Sequence, residues 1–330
     1  LALADRRAGL YARAASLRAV RAWFDAEGLI EADVDARVAS PGAEVHLAAF
    51  AATGTDGRLA FLHTSPEFAM KRLLAGGETA LYYLGPVWRD EAPGPRHGSE
   101  FTMAEWYRVG ADWRAVAQDT LTLIEVIARA CGSDRLRHAG TEARLDGALW
   151  LSVAAAFASA GIPDLLATIC PRTGAGDRDA LAEHASAIGL IPQADDDWSD
   201  VFSKLLTNRV EPRLPPDRLV VLHDYPTPEA ALARRSSADP RVAERFEVYA
   251  CGVELANGFG ELVDPVEQRA RFEAAMDEKA RRYGTRWPVD EGFLSALATM
   301  PEASGCALGF DRAVMLATGA PTVAAVRWSG

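Results

Sequence analysis

The sequence predicts an α+β fold, an antiparallel sheet flanked by helices and carrying a helical insertion. Three observations point there. Apolar strand-like segments come in runs, without the regular strand–helix alternation of a doubly wound parallel sheet. Segments with apolar residues at three- and four-residue steps lie outside those runs. A stretch punctuated by Pro and Gly, about residues 132–216, reads mostly as helices. The 330 residues are 49% hydrophobic and 25% charged, enough to bury a core without metal or disulfide staples, and are read as one domain over 1–330.

The elements follow in order. Leu10, Ala14, Leu17, Val20 and Phe24 give a first helix from about Leu10 to Glu27, stopped by Gly28. Gly28–Val34 reads as a strand, and Ser40-Pro41-Gly42 as a turn. Ser65-Pro66-Glu67 opens a helix, with Ser65 as cap, Pro66 at the first helical position and Glu67 at the positive dipole end; Gly76-Gly77 closes it. Leu81–Trp88 is a strand, 89–99 a loop, and Phe101–Arg108 a strand placing Phe101, Met103, Glu105 and Tyr107 on one face. A helix over Asp112–Cys131 ends at Gly132. Helices are expected near Ser152–Ala160, Asp177–Ile188 and Asp197–Asn208 in the insertion. Leu219–His223 is a strand, and Phe246–Tyr249 with Val253–Ala256 a hairpin around Cys251-Gly252. Helices over Pro265–Tyr283 and Asp290–Ala298, a strand over Cys306–Phe310 and a helix from Asp311 complete the order.

Composition excludes several classes. A net charge of −11 argues against a surface-wide nucleic-acid footprint, though not against a local basic pocket. Cys131, Cys170, Cys251 and Cys306 form no C-x-x-C, so neither a structural zinc site nor a disulfide framework is expected, and a reducing cytoplasm is. No apolar run is long enough to span a membrane. No P-loop, G-x-G-x-x-G or G-x-S-x-G is present, and the six histidines lack ligand spacing. Lys279-Ala280-Arg281-Arg282 reads as a solvated face offsetting a helix dipole.

Charged residues in strand-like surroundings stand out. Arg89, with Asp90 and Glu91 beside it, ends a strand; Glu254 lies inside one; Glu261 follows Asn257-Gly258-Phe259-Gly260, and Arg312 begins a helix just after Gly309 of an apolar strand. Buried charges are costly unless paired or bound to a ligand. One reading is a polyphosphate held by Arg89 and Arg312, with Glu254 and Glu261 sharing Mg²⁺ and Phe101 stacking on a base. The other is internal salt bridges, Arg89 with a glutamate and Arg312 with Asp311 or a neighbour. Glu67, Glu105 and Tyr107 likewise read either as a diamine-binding set or as dipole compensation and a solvated sheet face.

In order, Thr64-Ser65-Pro66-Glu67, Met70–Leu74, Arg89-Asp90-Glu91, Glu100–Tyr107, Arg241–Glu247, Glu254–Phe259, Glu261-Leu262 and Ser304–Arg312 resemble the catalytic domain of class II lysyl-tRNA synthetases. More closely, they are similar to the elongation factor P lysine lysyltransferases, truncated paralogues of those enzymes. The resemblance covers nearly the whole chain. It implies a six- or seven-stranded antiparallel sheet, usually in a homodimer. It assigns ATP to Arg89, Asp90, Glu91, Phe101, Glu254, Leu255, Gly309 and Arg312, with Arg89 at the α-phosphate and Arg312 at the γ-phosphate end. Mg²⁺ falls to Glu254 and Glu261. A lysine pocket falls to Ser65, Pro66, Glu67, Glu105, Tyr107 and Glu261. The implied chemistry is adenylate formation from lysine or (R)-β-lysine, then transfer to a lysine side chain of elongation factor P. Arg89 and Arg312 stabilise charge and no protein nucleophile is used.

Two alternatives are the same adenylate chemistry with another acceptor, and a non-catalytic paralogue that binds. The first helix begins by Leu10, so an N-terminal anticodon-binding OB domain is not expected, nor tRNA as acceptor. Ala307 stands where the tRNA enzymes have Gly, which in the family goes with (R)-β-lysine. The chain departs from the family's His-Asn-Pro-Glu-Phe at Gly98 and Ser99, losing an Asn contact to ATP and a stiffening proline. It also lacks a proline near Asp35, in the motif that usually forms the dimer interface.

Overall fold

The computed structural model describes residues 3–55 and 57–329. Its strands are β1 Ile30–Glu31, β2 Arg37–Val38, β3 Phe61–Leu62, β4 Ala80–Trp88, β5 Glu100–Val109, β6 Arg135–His138, β7 Thr141–Ser152, β8 Arg218–Pro226, β9 Val242–Ala250, β10 Val253–Gly260 and β11 Ala303–Gly309. Its helices are α1 Leu3–Ala26, α2 Glu67–Ala75, α3 Trp113–Ala130, α4 Val153–Ser159, α5 Arg178–Ala187, α6 Trp198–Leu205, α7 Pro265–Tyr283, α8 Glu291–Leu297 and α9 Phe310–Thr318.

Nine strands form one sheet in the order β1-β4-β5-β11-β10-β9-β8-β7-β6. The α+β expectation holds, with one refinement. The sheet is mixed, because β1 joins β4 and β7 joins β8 in parallel while the central pairings are antiparallel. One sheet face packs on α1, α3 and α9 through residues such as Val20, Phe24, Trp106, Ile124 and Leu316; Phe24 stacks on Tyr82 at 4.3 Å. On the other face α2, α7 and α8 build a second core from Met70, Leu74, Phe272 and Phe293, leaving room beside it for the site. Aromatic stacking unites the insertion helices, with Phe202 4.9 Å from Phe157 and 5.3 Å from Trp198, over Val220, Leu222 and Tyr225.

The segment 132–216 is not helical throughout. It opens with β6 and β7, which extend the main sheet, and only from Val153 does it supply α4, α5 and α6. The β6–β7 turn is made by Ala139 and Gly140, both at positive φ (48° and 81°), so an Ala-Gly pair adopts a conformation normally signalled by Asn-Gly. The segment expected as a strand over 28–34 pairs only at Ile30 and Glu31.

The hairpin at Cys251-Gly252 is present, with both residues at positive φ (51° and 70°), but its strands are longer than apolar content indicates. Glycine-rich Asn257–Gly260 looks like a turn, yet it lies inside β10. Gly258 is there because a Cβ would overlap the Phe246 ring and come within 2.9 Å of the Gly305 carbonyl. The basic run of α7 is also not a solvated face. Lys279 is buried and donates to the carbonyls of Glu44, Val45 and Leu47, while Arg282 pairs with Asp197 and Asp200 of the insertion. All four cysteines are free, and no described helix is long and apolar enough to cross a membrane.

Candidate active site

The site lies in a cavity of about 400 Å³ over the centre of the sheet. On β5, alternation presents Phe101, Met103, Glu105 and Tyr107 to it as expected. On β10, a bulge between Glu254 and Ala256 does the same work by irregularity. Glu254 pairs with Tyr249 and Ala256 with Val248, so Leu255 is the extra residue. That single insertion shifts the alternation and places Glu254 on the same face as Asn257, Phe259 and Glu261. Gly309, Asp311 and Arg312 reach the cavity from the β11–α9 junction, Ser65 and Glu67 from the start of α2. The capping position of α2 is Pro66, one residue later than expected. The Ser65 hydroxyl still accepts the Glu67 N–H at 3.0 Å, and donates to Glu105 at 2.8 Å.

One end of the cavity is cationic. Arg89 continues the ladder beyond β4, its N–H donating to the Ser99 carbonyl, and its guanidinium sits 5.2 Å over the Phe101 ring. Its Nε is buried without a hydrogen-bond partner. Arg312 donates to the carbonyls of Glu254 and Arg96 at 3.0 Å and stands 3.6 Å from the Glu254 carboxylate. It does not pair with Asp311, which is bound instead by Arg13 at 2.5 Å. Arg96 and Arg245 also line this end, Arg245 in close contact with Glu247 at 2.6 Å. Of these four guanidiniums Arg245 is tightly paired and Arg312 loosely so, which leaves a positive surplus suited to a polyanion.

The opposite end is acidic. Lys71, fully buried on α2, lies 2.5 Å from Glu67 and 2.6 Å from Glu261. Burial alone would lower its pKa; the two carboxylates more than reverse this, and it is raised. Tyr107 donates to Glu105 at 2.7 Å. Burial, reinforced by Glu67, pushes Glu105 up to about 8, and burial pushes Glu261 up to about 7. Three carboxylates thus surround one ammonium, and the excess calls for a cationic ligand. Gly305 forms the floor: a Cβ there would overlap the Tyr107 ring and approach Glu261 Oε1 to 2.8 Å.

Glu254 and Glu261, expected to share one ion, both line this cavity. They are seven residues apart, Glu254 inside β10 and Glu261 just past its end. Glu247 on β9 pairs opposite Asn257, and its charge is felt at Glu254. Burial and the charge of Glu247 push Glu254 up to about 7. Glu247 is itself held by Arg245 and by the Tyr249 hydroxyl, both at 2.6 Å. Among the described residues no cluster of three or more acidic, His or Cys side chains has metal-binding geometry, so a cation here would share two carboxylates with phosphate oxygens. Of the other expected residues, Glu91 and Leu255 line the cavity. Asp90 is exposed outside it, with its N–H on the Ala48 carbonyl. Pro66 lines a neighbouring cavity of about 610 Å³ that shares Ser65 and Glu67 with the site. Glu247, Lys71 and Gly305 stood in the strings that carried the resemblance without a role; their roles come from cross-strand and helix contacts that spacing does not show.

A profile of the class II tRNA synthetases (D, K and N) matches residues 3–328. The chain belongs to that family. Its curated relatives include the elongation factor P–(R)-β-lysine ligases of Vibrio cholerae serotype O1 (35% identical over 93% of this chain and 90% of the relative) and Pectobacterium atrosepticum (37%, 94% and 91%). That of Edwardsiella ictaluri is 36% identical over 97% of this chain and 94% of its own length. Class II membership agrees with the central antiparallel strands and with a site built on a sheet face and not on a phosphate-binding loop.

Proposed function

We propose that this chain is an ATP-dependent ligase that activates lysine or (R)-β-lysine as an adenylate and transfers it to a lysine side chain of elongation factor P. The observation that carries it is one cavity with opposite polarity at its ends: Arg89 with an unpartnered Nε at one, a surplus of buried carboxylate at the other. A triphosphate fits the first, the ammonium groups of a diamino acid the second.

The substrate carboxylate then lies between the two. One of its oxygens attacks the α-phosphorus of ATP in line, the α–β bridging bond breaks, and pyrophosphate leaves. Arg89 stabilises the charge growing on the α-phosphoryl oxygens, and Arg312 the charge on the leaving group. Phe101 offers its free face to the adenine and Glu91 its carboxylate to the amino edge. Glu254 and Glu261 would hold Mg²⁺, which supplies charge neutralisation for the phosphates when bound. In the second step an acceptor amine attacks the acyl carbon, the C–O bond to phosphate breaks, AMP leaves, and the amine loses a proton.

The relatives' name supports (R)-β-lysine as the substrate and elongation factor P as the acceptor. Ala307 pairs opposite Glu105 and lines the cavity, so its methyl shapes the amine end. A cytoplasmic homodimer is the expected form, with Ile30, 59% exposed on the edge strand, available to an interface. ATP–pyrophosphate exchange with lysine, (R)-β-lysine and ornithine, followed by intact mass of elongation factor P, tests the reading. Exchange with a lysine isomer and a matching mass increase are expected. Exchange without transfer moves the acceptor elsewhere, and no exchange with any isomer rejects the catalytic reading.

A further inference from the structure

The loop over the nucleotide end lacks the Asn-Pro of the family string, and the C-terminal segment occupies the space this opens. Gly98 lines the cavity, and its φ is not in the left-handed region, so the backbone does not require glycine there. Space does. A Cβ at 98 would stand 3.1 Å from Arg327 Nη1 and 3.2 Å from the Glu100 carbonyl. Arg327 uses that gap to donate from Nη1 to the Glu100 carbonyl. Its Nη2 is 3.2 Å from the Glu100 carboxylate, and its Nε 3.7 Å from Asp311, the residue before Arg312. The Val323 N–H donates to the Pro95 carbonyl at 2.9 Å, so the same segment grips both ends of the loop over 95–100. Arg6 of α1 holds this segment in turn, donating to the carbonyls of Ala324 and Arg327 at 3.1 and 2.8 Å.

We propose that Arg327 is a positioning residue for the nucleotide, a guanidinium strap from the C-terminal segment that fixes the Gly98–Ser99 loop between Arg89 and Phe101 in place of the missing Asn and Pro. It rests on the assignment of this cavity to ATP. A glycine-bearing loop without proline has more conformations to lose when ATP orders it, and Arg327 removes them beforehand. A side chain at 98 would crowd Arg327, so the two positions are coupled.

The test is the ATP dissociation constant by titration calorimetry, with melting temperatures, for the full chain and for Arg327→Ala, Gly98→Asn and the double variant. Each single change is expected to weaken ATP about tenfold, one by freeing the loop and the other by clashing with the strap. The double variant, in which the introduced carboxamide takes the space the guanidinium vacates, should return to within about threefold of the original chain. Affinity for the amino acid should be unchanged throughout. Multiplied losses of about a hundredfold in the double variant, or unaltered ATP affinity in Arg327→Ala, would overturn the proposal while leaving the ATP assignment intact. If the unmodified chain binds no ATP, the assignment and the proposal fall together.

Discussion

Replacing Lys71 by Met removes the ammonium at the centre of the acidic end and keeps the volume. Glu67 and Glu261, 2.5 and 2.6 Å from its ammonium, then face each other and Glu105 without that counter-charge. Removing one partner of a buried ion pair costs about 3–5 kcal/mol. With an unfolding entropy of about 2.1 cal/mol/K per residue, 330 residues give about 0.7 kcal/mol/K, so ~4 kcal/mol corresponds to about 6 °C in Tm. The loss depends on pH with a definite sign. Protonating Glu261 and Glu105, which already titrate near 7 and 8, relieves the repulsion, so the deficit should be large at about pH 8.5 and small at about pH 5.5. Scanning fluorimetry of both proteins at the two pH values, with and without about 10 mM (R)-β-lysine as a stabilising cation, provides the readings. The ligand should recover part of the deficit at the higher pH. A drop of equal size at both pH values, or one that the diamino acid leaves untouched, refutes the charge-surplus account of this pocket.

Four further outcomes are expected. Arg89→Ala should retain the fold and abolish ATP–pyrophosphate exchange, because the half-buried guanidinium contacts the Phe101 ring but has no hydrogen-bond partner at Nε; near-normal exchange would reject its role at the α-phosphate. Glu254→Gln and Glu261→Gln should each raise the Mg²⁺ concentration for half-maximal exchange, and Glu261→Gln, beside Lys71, should also raise the KM for the amino acid. Gly305→Ala should cost about 1–3 kcal/mol by overpacking against Tyr107 and Glu261, and should weaken amino-acid binding while sparing ATP; calorimetry with each ligand separates the two. In the ligand-free chain, Glu105, Glu254 and Glu261 hold protons at pH values where the unfolded chain has released them. Stability should therefore fall as pH rises from about 4.5 through about 8, and Glu105→Gln should flatten that slope in a Tm-against-pH series.

The layout of the site was legible where periodicity is regular. Strand β5 carries Phe101, Glu105 and Tyr107 inward because every second residue must. Strand β10 was readable only in part. Its glycines obscure the strand, and its bulge cannot be seen without the β9 register. Glu247 and Lys71 share this origin. Each is defined by what stands across from it, on a neighbouring strand or across a helix–strand contact, and no local spacing encodes that. Strands β6 and β7 were missed because an Ala-Gly turn and exposed, irregular alternation do not announce a hairpin.

Strand β10, with Glu261 just beyond it, lines the cavity along its length, and under the proposed function that makes it a ruler. If triphosphate and amino acid bind as proposed, the span between them is set largely by the backbone of this strand. A diamino acid one carbon shorter cannot reach both marks at once. Ornithine should therefore be disfavoured in exchange by roughly 10–200-fold, the discrimination a single methylene commonly supports.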